Sequence, residues 1–487
     1  MLLNTFTYLC FLAVVTAVHY LLPEKYRNYF LLAASIYFLW KSGPISLGIA
    51  VCAALITYWF GRKIALTEDR NAARRLTAVG IILLVLNLCF FKYANLITSF
   101  LENPVSILFP VGLSFYTFAS VGYLADVYKG AMAPEENIVD WLLSVLFFPH
   151  VLSGPIAKSR NLIPQLKKRE VTPDIIVKGL RRLLIGAMFK VALADGLAVI
   201  VNGVYDDLGN HSGLAALTAL FLYPLQLYFD FAGYSSMAVG SALMFGVRLQ
   251  ENFLAPYFST GMGEIWRRWH ITLSEWFRDY LYFPLGGSRR GESRTLVNLL
   301  IVFTVSALWH GNTLTNLIWG VVIVASRFLE RFFNKNSRGL TGEEAFKPKS
   351  WIKRVLVYVW WTMTLFPFRM ETVADMKQFI GLVGQKQNIN TFILEFLNLA
   401  AAGVSDTGTY YLIYFGSLLV SFSIAVWIDF VLYKSTTERG TTPITDPFAG
   451  VPVKLRWALY WIMGLAVAAM YIIIQTGGGP SFIYQGY

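Results

Sequence analysis

The sequence predicts an all-α fold: a polytopic membrane bundle of about eleven crossing helices, with broken or re-entrant segments around an intramembrane chamber. Three observations lead there. Of 487 residues, 56% are hydrophobic and 14% charged, whereas soluble domains run nearer half apolar and a quarter charged. The apolar residues gather in runs, at 78–91, 183–205, 213–229, 410–433 and 455–474. A run of roughly 18 or more with few charges reads as a spanning helix. Finally, Lys and Arg are placed unevenly. They collect at 62–75, 158–182, 289–294 and 331–354, and are absent from 101–110, 205–212 and 312–316. That is the positive-inside pattern, and it puts the basic loops in the cytoplasm and the N-terminus outside. The net charge of +12 therefore reads as topology and not as nucleic-acid binding.

Taken in order, the first element is 2–22. No Lys or Arg precedes Lys25, and 15–22 has no small-x-small cleavage site, so a retained span is expected over a signal peptide. Cys10, Cys52 and Cys89 sit in apolar runs without metal-ligand spacing and act as small hydrophobes. The segment 141–154 breaks at FFPHVLSGP, and 271–284 is interrupted by Pro284-Leu285-Gly286-Gly287. The segment 295–310 is expected to form a short helix of about 24 Å, against a hydrocarbon core of about 30 Å. It stops at Gly311-Asn312, and apolar sequence resumes at Leu314. Irregular backbone at membrane depth is tolerated only where protein or a water-filled cavity surrounds it, so these breaks predict a polar, protein-lined chamber. The polar stretch 334–350 reads as a cytoplasmic loop. No linker or repeat divides the chain, and 1–487 reads as one integral domain.

The chemistry is expected at two histidines, His270 in GEIWRRWHITLSEWFRDYLYFPLGG and His310 in TVSALWHGN. An imidazole is expensive at membrane depth and titrates near neutral pH, so each reads either as a functional group or as a structural histidine bonded to a carbonyl or a neighbour. On one continuous helix, Trp266, His270, Ser274 and Phe277 would share a face. Trp269, Leu273, Trp276 and Tyr280 would form a neighbouring aromatic stripe. An interfacial belt accounts for such Trp and Tyr residues taken singly. Arg267 and Arg268 fall on other faces, where they snorkel or bind an anion. Ser306 lies one turn before His310 and places a hydroxyl on its face. His150, beside Pro149, reads as a cavity liner. Asp230, in LYFDFAGYSSM, reads either as an interfacial cap or as the partner of a buried Arg or His.

The runs GEIWRRWHITLSEWFRDYLYFPLGGSRRG and NLLIVFTVSALWHGNTLTNLIWG resemble the membrane-bound O-acyltransferase family. The resemblance falls within its bacterial branch, which O-acetylates exported polysaccharides such as alginate. PVGLSFYTFASVGYLADVYKG (110–130), FFPHVLSGPIAKSRNLIPQL (147–166), LQLYFDFAGYSSMAVGSALMFG (225–246) and the terminal FIYQGY (482–487) resemble the branch in the same order. The resemblance implies that His310 is the family's characteristic histidine and His270 the second polar position. His150 departs from the Gln expected there.

The resemblance further implies a tunnel bringing acetyl-CoA from the cytoplasm to His310, with no bound cofactor or metal. It also implies a polysaccharide acceptor or an extracytoplasmic acetyltransferase partner, and a bacterial inner-membrane location. Trp266, Arg267, Arg268, Trp269, Ser306, Trp309, Asp230 and His150 are the expected substrate-lining residues. The competing class is a transporter or channel with a His-lined path, because broken helices and midplane polar groups occur there too. The lack of a detectable inverted repeat and the ordered motifs favour the acyltransferase.

Overall fold

The computed structural model describes residues 2–98, 107–169, 171–333, 340, 342–401, 407–439 and 446–476. The terminal FIYQGY motif and residues 334–339 of the polar stretch lie outside these described residues. Within them, all regular structure is helical. Seven helices are long and apolar enough to cross a membrane: Pro44–Leu66, Arg70–Thr98, Pro173–Tyr205, Gly213–Leu243, Glu292–His310, Tyr410–Thr437 and Val453–Ile474. Other long helices, such as Leu314–Phe333 and Pro348–Arg369, carry more charge, and Phe6–Leu21 is apolar but short. Among the described residues, seven such helices stand against the about eleven expected.

The bundle has a centre and a rim. Pro173–Tyr205 is buried over 83% of its most apolar stretch, and Gly213–Leu243 over 67%, but Arg70–Thr98 over only 17%. The two central helices meet along a seam of glycines. A Cβ at Gly179 would lie 2.8 Å from the carbonyl oxygen of Gly240, and one at Gly186 2.6 Å from that of Gly233. Small residues let membrane helices approach this closely, where lipid offers no hydrophobic drive for association.

One central helix widens into a π-helical stretch, Met188–Asp195, before continuing as Gly196–Tyr205. There the Lys190 ammonium donates to Asp195 (2.6 Å) and to Asp230 (2.5 Å), with Lys190 and Asp230 each 1% exposed. Asp230 is therefore a buried mid-helix partner of a lysine and not an interfacial cap. It holds a buried lysine that hydropathy alone did not single out.

The punctuated segments are irregular as expected, with one difference. Ile138–Leu146 ends before the buried turns of 147–154. The helix ending at His310 starts earlier than expected, at Glu292 after the left-handed Gly291 (φ 87°). Its 19 residues give about 28 Å at ~1.5 Å per residue. It is a near-complete span, and not the short helix of 295–310. It does stop at Gly311.

Candidate active site

The GEIWRRWH segment is not one helix. Met262–Arg268 stops, His270 adopts a left-handed conformation (φ 42°, ψ 54°), and Ile271–Phe277 begins after it. Histidine is among the non-glycine residues enriched in that region, at some cost in strain. The irregular segment at 252–254 holds the break in place. Leu254 N–H donates to the Arg268 carbonyl (3.0 Å), and Ile271 N–H donates to the Asn252 carbonyl (2.9 Å). The Asn252 side-chain oxygen accepts from the Thr272 hydroxyl (2.6 Å) and lies 3.4 Å from His270 Nδ1. His270 is thereby fixed in orientation, and its Nε2 is buried with no hydrogen-bond partner.

Beyond the break, residues of the expected aromatic stripe anchor the segment to a neighbouring helix. Trp276 donates to the Phe118 carbonyl (2.9 Å) and Tyr280 to Asp126 (2.9 Å), both on Leu113–Tyr128. This pins Ile271–Tyr282 against the bundle interior.

A cavity of about 290 Å³ opens where these elements meet Glu292–His310, Leu314–Phe333 and Pro348–Arg369. Both His270 and His310 line it, with Ser306, Trp266, Arg267 and Trp269. Ser274 and Phe277 line it too, so the face expected of one helix survives the break. From Leu299 to His310 the lining follows one helix for about 16 Å at ~1.5 Å per residue, so the cavity is elongated. His310 is 6% exposed. Its imidazole is walled by Trp309 (4.5 Å between ring centroids), Trp319 (5.2 Å) and Phe368 (5.3 Å). Trp309 also neighbours His270, at 6.4 Å.

Three arginines, Arg267, Arg278 and Arg327, join the lining. Arg327 pairs with Glu330, whose carboxylate accepts from Gly263 N–H (2.9 Å). Arg278 donates to Asp279 (2.9 Å), which also takes the Lys158 ammonium (2.6 Å). Burial pushes the Asp279 carboxyl upward, but these hydrogen bonds outweigh it and hold the group below its ordinary value.

Four expected liners lie elsewhere. Arg268 turns away to Glu264 (3.0 Å) and the Leu254 carbonyl (3.0 Å), with its guanidinium 4.5 Å from the Tyr433 ring centroid. Asp230 is committed to Lys190. His150 Nε2 is 3.2 Å from the Ser144 carbonyl, inside the buried turn. Trp309 stands behind the histidines, packed on Phe118 (5.4 Å).

The sequence of this chain matches the model of the membrane-bound O-acyltransferase family over residues 133–363. It is 36% identical to a protein of Pseudomonas putida named a probable alginate O-acetylase, over 83% of this chain and 87% of that one. The corresponding Pseudomonas aeruginosa protein is 38% identical, over 82% and 81%. A peptidoglycan O-acetyltransferase of Helicobacter pylori is 32% identical, over 63% and 65%. The chain belongs to the membrane-bound O-acyltransferase family.

In this acyltransferase, sequence reasoning found both histidines, Ser306, Trp266, Trp269 and Arg267, but missed Arg278, Arg327, Trp319 and Phe368 as cavity residues. Arg278 was visible as a cation within an aromatic segment. Arg327 and Trp319 sit in an amphipathic helix where Arg and Trp are expected for other reasons, and Phe368 comes from a helix far along the chain.

Proposed function

We propose that this membrane O-acyltransferase takes an acetyl group from acetyl-CoA at the cytoplasmic side. It passes the group toward hydroxyls of an exported or cell-surface polysaccharide, through an extracytoplasmic partner. The whole chain acts as one integral domain in a bacterial inner membrane, its basic loops cytoplasmic and its N-terminus outside. One observation carries the reading: His270 and His310 border a single elongated cavity that three arginines also line. The arginines suit the phosphates of a nucleotide thioester, and the apolar walls keep water from the thioester. The curated relatives act, by name, on alginate and peptidoglycan, which supports a glycan hydroxyl as acceptor.

His310 acts as general base on the acceptor hydroxyl. His270 is held by Asn252, so that a proton on Nδ1 leaves Nε2 with a free lone pair facing the reaction. It orients or polarises the reacting groups. The acetyl group thus crosses by chemistry, and CoA stays in the cytoplasm.

The test is to incubate purified protein in detergent with labelled acetyl-CoA, with and without acceptor glycan and periplasmic partner. Acetyl-CoA consumption without any gradient supports the enzyme. A protein that leaves the thioester intact under every combination would instead be a carrier.

A further inference from the structure

We propose that the indole N–H of Trp319 donates to the carbonyl oxygen of the bound thioester and stabilises the oxyanion formed during transfer. The inference rests on the acyl-transfer reading and adds a residue to it.

Trp319 is 3% exposed and lines the cavity beside His310, and its Nε1 has no hydrogen-bond partner. A buried N–H without an acceptor is unfavourable and rare in native structures. It is accounted for when a ligand supplies the acceptor. The indole is also held in position. Its helix lies so close to Glu292–His310 that a Cβ at Gly320 would meet the Phe303 carbonyl oxygen and Ala307 Cβ at 3.0 Å. At the helix start, the Thr315 hydroxyl donates to the Met370 carbonyl (2.7 Å). A fixed donor in a water-poor site is the arrangement that favours developing negative charge.

Three other indoles compete for the role, and one of them, Trp361, lines the cavity with an unpartnered N–H but packs its ring on Trp266 and Trp269 (5.4 Å each). Trp266 also lines the cavity with an unpartnered N–H, but its ring packs on Phe303 (5.1 Å) and Trp361 (5.4 Å). Phe303 lies about 10 Å before His310 along the helix, at ~1.5 Å per residue. Trp309 has an unpartnered N–H as well but does not line the cavity. Trp319 alone of the four combines a free N–H, a place in the cavity wall and ring contact with His310.

The acceptor oxygen attacks the thioester carbon, and a C–O bond forms as the π pair moves onto the carbonyl oxygen. That oxygen accepts from Trp319 Nε1–H, while the hydroxyl proton passes to His310. Collapse restores C=O and breaks C–S, and the imidazolium returns its proton to the CoA thiolate.

The experiment compares wild type, Trp319→Phe and a variant carrying benzothienylalanine at 319, which keeps the bicyclic shape but lacks the N–H. Turnover of acetyl-CoA is measured alongside binding of ethyl-CoA, the thioether without a carbonyl. The expected result is a fall in kcat on the order of 100-fold for both variants, with ethyl-CoA affinity and melting temperature unchanged. Wild-type kcat in the benzothienylalanine protein would overturn the proposal, as would ethyl-CoA affinity falling in step with kcat, which marks a packing role. Wild-type protein that consumes no acetyl-CoA would overturn the acyl-transfer reading, and this inference with it.

Discussion

Two polar centres are buried in this bundle, and they are built in opposite ways. Around Lys190, one ammonium meets two carboxylates at 2.5 and 2.6 Å inside a π-helical turn. Its donors and acceptors face one another. Around His310 there is open space, and His270 Nε2 and the Trp266 and Trp319 indole nitrogens have no partner within the protein. A buried polar group left unsatisfied is penalised by desolvation, and those that face the cavity can be completed by a ligand. The closed centre joins two helices, and the open one is where we propose that substrate binds.

Substitutions that exchange these roles test the contrast, and the largest effect is expected at the open centre. His310→Ala should abolish acetyl transfer while membrane insertion and melting temperature stay at wild-type values. His270→Ala should be severely impaired but less so. A well-expressed His310→Ala protein with normal acetylation would remove that residue from the chemistry.

At the closed centre the readout reverses. Lys190→Met strands two carboxylates, and breaking a buried pair in this way costs about 3–5 kcal/mol. Folded yield in detergent should therefore drop sharply, and the protein that does fold should keep near-normal kcat. A stable but inactive Lys190→Met would transfer this cluster to the catalytic side.

A smaller effect is expected at the arginines. Arg278→Ala combined with Arg327→Ala should raise KM for acetyl-CoA roughly tenfold, with little change in kcat, and should weaken its salt dependence. An unchanged KM would place the CoA phosphates elsewhere.

The smallest concerns Asp279. Its carboxyl titrates lower when folded than when unfolded, so its contribution is present above the unfolded value and lost as pH falls toward the folded one. Melting temperature should therefore decline from about pH 4 downward, and Asp279→Asn should flatten that decline. An identical acid profile for both proteins would show the Lys158–Asp279–Arg278 cluster to be energetically idle.

How far the site was legible depended on whether a residue's type was unusual for its surroundings. Imidazoles in apolar sequence stand out, and both histidines meet at one cavity. Gly311 ends its helix as its type requires. Arginine and tryptophan near a membrane are unremarkable by type, so Arg268 was grouped with Arg267 although it points at Glu264 and Tyr433, and Trp319 passed unnoticed. The break at His270 was hidden for another reason. Its cause is pairing with Asn252 and Leu254, contacts that helical periodicity along the segment does not report.

The amino-acid order by itself determined that this chain lives in a bilayer, which ends carry the basic loops, and which family motifs it bears. Those follow from hydropathy, charge placement and local composition, all of which act along the chain. Tertiary structure decided which polar groups satisfy one another and which are left facing a cavity. That outcome depends on partners tens to hundreds of residues apart, such as Lys190 with Asp230 or His310 with Phe368, brought together only by helix packing.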